Sequence, residues 1–212
     1  MGDAMLDGVA RGWIEPILNR CGRALAARGW TADGVTLVGL GLGLLAAALL
    51  ALGAAGWIAL IPLLVSRVAD GLDGAVARAT QKTDFGGYLD IACDFLFYAA
   101  VPMAFVLRNP DANAVAGAFV LMSFYVNGTT FLGYAVLAEK KGMQTAQRGE
   151  KSLYFTAGLL EGTETIAFFA VLCFWPTAFA PLAWVFGALC FVTAAARVWL
   201  AWQVFRAKPP LT

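Results

Sequence analysis

Six stretches of mostly apolar residues follow one another with short breaks, and each is long enough to cross a bilayer as a helix. A spanning helix needs about 20 predominantly apolar residues. Apolar residues fill 60% of the 212 positions and charged residues only 14%, whereas a soluble domain carries about 25% charge. The sequence therefore predicts an all-α integral membrane bundle of six transmembrane helices, over roughly 33–54, 57–79, 85–107, 112–137, 152–175 and 180–205.

The first thirty residues mix basic and apolar side chains, a pattern typical of a helix lying along the membrane surface. The basic residues are Arg11, Arg20, Arg23 and Arg28. We predict a juxtamembrane amphipathic helix over 1–30, followed by the six-helix bundle over 33–206, with the whole chain 1–212 forming a single domain. Thr31 or Asp33 is expected to cap the first spanning helix.

Lys and Arg are distributed unevenly between the two ends of the predicted spans. The segments 11–28, 78–82, 140–151 and 206–208 carry twelve of them, and the opposite ends carry only Arg108. Since cytoplasmic loops of membrane proteins are enriched in Lys and Arg, both termini are predicted to be cytoplasmic. In a bacterium this would be the inner membrane.

Charge, histidine and cysteine exclude several functions. A net charge of +1 argues against a nucleic-acid partner, which would need a broad cationic surface. The chain has no histidine, and its four cysteines show no CxxC spacing, so neither imidazole chemistry nor a zinc site is indicated. Any proton transfer must then be carried by carboxylates.

Four aspartates stand inside predicted spans, where a charge is costly and usually functional. Asp70 and Asp73 fall on one face of the second span, and Asp90 and Asp94 lie four residues apart on one face of the third. Residues with small side chains follow or precede them on the same faces, which would let a ligand approach the backbone. These small residues are Gly74, Ala77, Gly86 and Gly87.

If the two helices pack as a hairpin, the four carboxylates converge near the cytoplasmic end and require a positive charge between them. Oxygen ligands select hard cations such as Mg²⁺ or Mn²⁺, and two such ions would clamp a pyrophosphate for phosphoryl transfer. Asp94, the furthest along the third span, is our choice of general base. The alternative is a buried salt-bridge network with Arg67, Arg78 or Lys82.

The same residues resemble a known signature. Read as DxxDGxxAR, seven residues and GxxxDxxxD, the eight fixed positions over 25 residues are similar to those of the CDP-alcohol phosphotransferases: Asp70, Asp73, Gly74, Ala77, Arg78, Gly86, Asp90 and Asp94. Many members carry Thr-Pro-Asn before the first span, where this chain has Thr31, Ala32 and Asp33.

The resemblance implies that Asp70, Asp73, Asp90 and Asp94 hold two divalent ions, Mg²⁺ or Mn²⁺, and that Asp94 is the general base. It implies that four further positions lie against the cytidine and pyrophosphate of a CDP-alcohol donor: Gly74, Ala77, Arg78 and Gly86. The usual donor of the membrane members is CDP-diacylglycerol, whose acyl chains remain in the membrane lipid, and CMP is released. A homodimer is also expected from the family.

The acceptor is expected to be a small polar alcohol, with glycerol 3-phosphate or inositol phosphate favoured over an amino alcohol or serine. Arg148, Lys151 and Arg197 are candidate ligands of an acceptor phosphate. For the loop residues the positive-inside effect is an alternative explanation, and for Arg197 pairing with Glu161 or Glu164 is another. Polar residues of the fourth span, Asn127 among them, suit helix–helix hydrogen bonding at least as well as substrate contact.

Two other functions fit paired aspartates in a membrane. Intramembrane prenyltransferases also hold Mg²⁺ on a pyrophosphate, but their two aspartate motifs lie far apart in the chain, whereas these carboxylates are confined to 70–94. A cation transporter would place its acids near mid-span, whereas these four carboxylates are expected near the cytoplasmic end. We therefore favour a phosphoalcohol transferase.

Overall fold

The structure, a computed structural model, describes residues 3–143 and 162–206, with side chains from Glu15 onward. Within those ranges the regular structure is entirely helical. The elements are α1 Asp3–Ala27, α2 Ala32–Ala51, α3 Gly56–Ala79, α4 Asp84–Arg108, α5 Pro110–Lys140, α6 Gly162–Phe174, a short 3-10 helix Pro176–Ala178 and α7 Phe179–Arg206. The predicted all-α class is confirmed.

The chain divides into two compact units, an N-terminal unit of residues 1–104 and a C-terminal unit of residues 105–212. The prediction that 1–212 forms one domain stays a prediction.

In the N-terminal unit, α3 packs against both α1 and α2. Two glycines of α2 allow a close approach: a Cβ on Gly39 would lie 3.1 Å from the Ala69 Cβ, and one on Gly43 would lie 2.5 Å from the Phe97 ring. Small residues at such crossings let helix backbones come together. As predicted, Thr31 caps α2, with its hydroxyl oxygen accepting the Gly34 N–H at 3.1 Å.

In the C-terminal unit, α5 packs along α7, and aromatic side chains fill the core. Phe168 of α6 and Phe186 of α7 stack with ring centroids 4.2 Å apart. Gly187 admits the Phe119 ring, which a Cβ there would approach to 2.7 Å. The Phe168–Phe186 stack joins α6 to α7, and the Phe119 contact joins α5 to α7.

Four helices in the described part of the chain are long and apolar enough to cross a membrane: Ala32–Ala51, Asp84–Arg108, Pro110–Lys140 and Pro176–Arg206. Helix α3 has a suitable length but carries two Arg and two Asp, and the described part of α6 is only 13 residues long. The count of six spans therefore stays a prediction. So does the placement of α1 along the membrane surface, although the helix itself is present.

Candidate active site

The candidate site lies in the N-terminal unit, where α3 ends and α4 begins. Asp70 and Asp73 are three residues apart in the second half of α3, and Asp90 and Asp94 are four residues apart in the first half of α4. A helix repeats every 3.6 residues, so each pair shares a face of its helix. This local geometry is the one the sequence predicted.

Three of the four carboxylates form a cluster. One oxygen each of Asp70, Asp73 and Asp90 lies within 4.8 Å of the other two. Two unit charges at that separation repel by roughly 3.5 kcal/mol at an effective dielectric near 20, so the cluster calls for a bound cation. Three carboxylate oxygens are a hard donor set, which fits Mg²⁺ or Mn²⁺. These residues could hold a divalent metal ion.

Asp73 is the most enclosed member of the cluster, with 6% of the residue exposed. The Thr36 hydroxyl of α2, itself 7% exposed, donates to Asp73 Oδ2 at 2.6 Å, and the Gly74 N–H donates to Oδ1. Both carboxylate oxygens are therefore engaged and the group is held in one orientation. Partners of this kind orient ligands in metal sites.

Asp94 has a different partner. Its Oδ1 accepts a hydrogen bond from Arg67 Nη1 at 2.7 Å, and the same nitrogen lies 3.4 Å from Asp70 Oδ1. The salt-bridge alternative considered from the sequence is thus present for two of the four carboxylates. It does not extend to Arg78, whose guanidinium donates to Asn19 Oδ1 of α1 at 2.9 Å and 3.2 Å.

Three of the four positions predicted to meet the donor follow Asp73 on α3, and the fourth, Gly86, lies one turn before Asp90 on α4. A Cβ on Gly74 would have Arg78 Nη1 as its nearest neighbour, at 3.4 Å, so Gly74 and Arg78 share one face of α3, and Ala77 is partly exposed beside them. A Cβ on Gly86 would lie 3.0 Å from Thr83 Oγ1 and 3.1 Å from the Asp33 carboxylate. Packing alone therefore favours glycine at 86, whereas Gly87 borders open space.

The predicted acceptor residues belong to the C-terminal unit. Arg148 and Lys151 lie outside the described residues. Arg197 of α7 donates from Nη1 to the Asn127 side-chain oxygen at 2.8 Å and to the Asn127 carbonyl at 3.2 Å. Asn127 thus takes part in helix–helix hydrogen bonding, one of the two roles that the sequence left open for it. The acceptor role of Arg197 stays a prediction.

Two polar residues around the cluster were not assigned a role from the sequence, Thr36 and Asn19, and Arg67 was named only as a partner in the salt-bridge alternative. For Arg67 a signal existed, since it precedes Asp70 by three residues and so shares its face. Thr36 lies 37 residues from Asp73, and Asn19 lies 59 residues from Arg78. Sequence spacing alone carries no signal for such pairs.

A model of a known protein family matches most of the chain. The family model described as CDP-alcohol phosphatidyltransferase matches residues 30–205, a range that contains all four aspartates.

Two protein relatives cover most of the chain. The "Inner membrane protein YnjF" of Escherichia coli is 47% identical over 197 residues, covering 92% of this chain and 94% of the relative. An "Archaetidylinositol phosphate synthase" of Pyrococcus horikoshii is 30% identical over 166 residues, covering 77% and 88%. The apolar helices and the first relative identify this chain as an integral membrane protein.

Two solved structures of the phosphatidylinositol phosphate synthase of Mycobacterium tuberculosis share the fold. One, with CDP-DAG bound, has a TM-score of 0.70 at 22% identity and covers 92% of this chain and 100% of that one. The other, in complex with manganese and citrate, has a TM-score of 0.67 at 24% identity and covers 88% and 89%.

Proposed function

Because this chain belongs to the CDP-alcohol phosphatidyltransferase family, whose members are phosphotransferases of phospholipid synthesis, we propose that it moves a phosphatidyl group from CDP-diacylglycerol to a small polar alcohol. CMP is the second product. The observation that carries this proposal is the convergence of Asp70, Asp73 and Asp90 within 4.8 Å. A hard-cation site of this kind suits a pyrophosphate substrate.

Asp70, Asp73 and Asp90 hold a first divalent ion in this proposal, and Asp94 contributes to a second. Mg²⁺ and Mn²⁺ both suit the oxygen ligands. When bound, such ions neutralise the pyrophosphate oxygens and stabilise the charge that develops on the departing CMP. The solved relative in complex with manganese is consistent with this assignment.

Asp94 acts as the general base, taking the proton of the acceptor hydroxyl as its oxygen attacks the phosphorus that carries the diacylglycerol. Asp94 suits this role because it stands apart from the three clustered carboxylates, one helical turn beyond Asp90. Arg67 fixes its orientation through the 2.7 Å hydrogen bond to Oδ1. A carboxylate held in this way has a defined direction from which to receive the proton.

Gly74, Ala77, Arg78 and Gly86 contact the cytidine and pyrophosphate of the donor. Arg78 is the polar contact among them, and Asn19 holds its guanidinium through two hydrogen bonds. The small side chains at the other positions keep the helix surface open for the nucleotide. CDP-diacylglycerol is the proposed donor because a solved relative is described with CDP-DAG bound, and its acyl chains would remain in the membrane lipid.

Inositol phosphate and glycerol 3-phosphate are the favoured acceptors. The names of the relatives support the first, since one is an archaetidylinositol phosphate synthase and another a phosphatidylinositol phosphate synthase. Arg148, Lys151 and Arg197 are the proposed ligands of an acceptor phosphate. An amino alcohol or serine would not need this cationic set.

The proposed membrane arrangement has six spans, α1 along the surface, and both termini and the active site on the cytoplasmic side. We further propose a single domain and a homodimer, by analogy with the family. Reporter fusions to the C-terminus test the orientation: activity of a cytoplasmic reporter is expected, and activity of an exported reporter would contradict it.

The reaction is tested by measuring CMP release from purified protein given CDP-diacylglycerol and Mn²⁺ or Mg²⁺. Inositol phosphate, glycerol 3-phosphate, inositol, serine and choline are offered one at a time. Release with one acceptor names the product. If no acceptor and no metal gives release above the protein-free control, the donor assignment is wrong, and failure of CDP-choline and CDP-ethanolamine as well would favour ion transport.

The roles of the aspartates are separated by two variants. Asp94→Asn should abolish transfer while leaving donor binding largely intact, whereas Asp70→Asn should weaken metal and donor binding together. Asp84→Asn is the matched control, because Asp84 is an exposed acid in the first turn of the same helix as Asp94. An equal loss of donor binding in Asp94→Asn and Asp70→Asn would refute the separation of base from ligand.

A further inference from the structure

The Arg67 guanidinium lies between Asp94, which would contribute to the second ion, and Asp70, which would hold the first. Its Nη1 lies 2.7 Å from Asp94 Oδ1 and 3.4 Å from Asp70 Oδ1. The guanidinium in this position pairs with both carboxylates. Asp94 also lies outside the group of three carboxylates whose oxygens converge within 4.8 Å.

The surrounding residues hold this guanidinium in place. Arg67 Nη2 donates to Ser66 Oγ at 3.1 Å, and the Arg67 Cζ atom lies 3.8 Å from the centroid of the Phe97 ring. Ser66 and Phe97 are both fully buried, and a Cβ on Gly43 would collide with the Phe97 ring. Arg67 has only 10% of its side chain exposed. The Arg67 guanidinium is therefore held in a fixed position within the site.

We propose that Arg67 makes the second metal ion dependent on the donor. The inference rests on the proposed function. A first ion binds to Asp70, Asp73 and Asp90 in the free enzyme, while Arg67 holds Asp94. The second ion would bind only together with the donor, whose negative charge balances the two metal ions.

Formal charges support this order of binding. Four carboxylates, the Arg67 guanidinium and one divalent ion together leave one net negative charge. A second divalent ion alone would turn that into one net positive charge in a partly buried site, which disfavours it. The pyrophosphate of a CDP-alcohol brings two negative charges, so that two ions and the donor together restore a single net negative charge. The second ion and the donor therefore stabilise each other.

The number of Mn²⁺ ions bound by the purified full chain tests the proposal, by electron paramagnetic resonance of free Mn²⁺ or by calorimetry. The wild type should bind one ion per chain without donor and two with CDP-diacylglycerol, acceptor being omitted to prevent turnover. Arg67→Gln should bind two ions without donor. Arg67→Lys, which retains the charge, should bind one.

Arg78→Gln is the matched control, since it removes an arginine from the same helix whose partner is Asn19 rather than a carboxylate. It should bind one ion without donor. Thermal unfolding of each variant verifies that it is folded, and the wild-type comparison with and without donor needs no variant.

Two ions bound by the donor-free wild type would overturn the inference, as would a single ion in the wild type with donor while CMP release proceeds. Either result leaves the proposed function standing. By contrast, no Mn²⁺ bound under any condition, or no CMP release with any acceptor, would refute the proposed function itself. The two failures are therefore distinguishable.

Discussion

Thr36→Val removes one hydrogen bond to a proposed metal ligand while conserving side-chain shape. The Thr36 hydroxyl donates to Asp73 Oδ2 at 2.6 Å, and both residues are more than 90% buried, so water does not readily replace it. A hydrogen bond to a charged group contributes about 1.5–3 kcal/mol. Loss of a partner that orients a ligand lowers metal affinity about 10- to 100-fold. This change in affinity agrees with the free energy of the lost hydrogen bond. We expect Thr36→Val to raise the Kd for Mn²⁺ by about that factor.

The assay is a Mn²⁺ titration of the donor-free protein, repeated by following CMP release as a function of Mn²⁺ concentration. Saturating Mn²⁺ should restore most of the activity, since Thr36 does not contact the substrate in the proposed mechanism. Thr36→Ser retains the hydroxyl and serves as the control. An unchanged Kd in Thr36→Val, or equal losses in both variants, would refute the role assigned to this hydrogen bond.

Two further predictions concern the contact between α1 and α3. Gly22→Ala should lower the melting temperature, because its Cβ would lie 2.6 Å from the Ala75 Cβ and 2.7 Å from the Ala75 carbonyl carbon, and overpacking costs about 1–3 kcal/mol. Gly41→Ala is the control and should leave the melting temperature unchanged, because open space surrounds Gly41. An equal loss in both variants would contradict the packing of α1 on α3. Asn19→Leu should raise the KM for the CDP-alcohol donor several-fold with little change in kcat, because the Arg78 guanidinium loses the oxygen that accepts its hydrogen bonds. Asn19→Asp, which retains an oxygen there, is the control. A rise confined to the KM for the alcohol substrate would count against Arg78 as a contact of the CDP-alcohol.

The features that follow from local spacing could be predicted from the sequence. The predicted spans 57–79 and 85–107 correspond to Gly56–Ala79 and Asp84–Arg108, since the apolar runs end at charged residues and glycine. The pairing of carboxylates on one face of each helix follows from 3.6 residues per turn. Their approach across the hairpin follows because two consecutive helices with a short connection lie side by side.

Three arginines lie inside predicted spans, and for two of them, Arg67 and Arg197, the sequence left the partner open. Arg67 bonds Asp94, 27 residues away, and Arg197 bonds Asn127, 70 residues away. The pairing of Arg197 with Glu161 or Glu164 stays a prediction, since Glu161 lies outside the described residues. The contact with Asn127 depends on the rotation of the neighbouring helix. That rotation is set by packing, in part by glycines such as Gly43 that admit an aromatic ring. Such contacts are visible only in three dimensions.

In the proposed reaction the chain transfers the phosphatidyl group and does not cleave the donor elsewhere. CDP-diacylglycerol labelled with radiophosphorus at the phosphorus that bears the diacylglycerol tests this directly, with the acceptor that supports CMP release. We expect the label to enter the lipid product, the released CMP to be unlabelled, and Asp94→Asn to abolish both products. Label in a released nucleotide or in inorganic phosphate would contradict it.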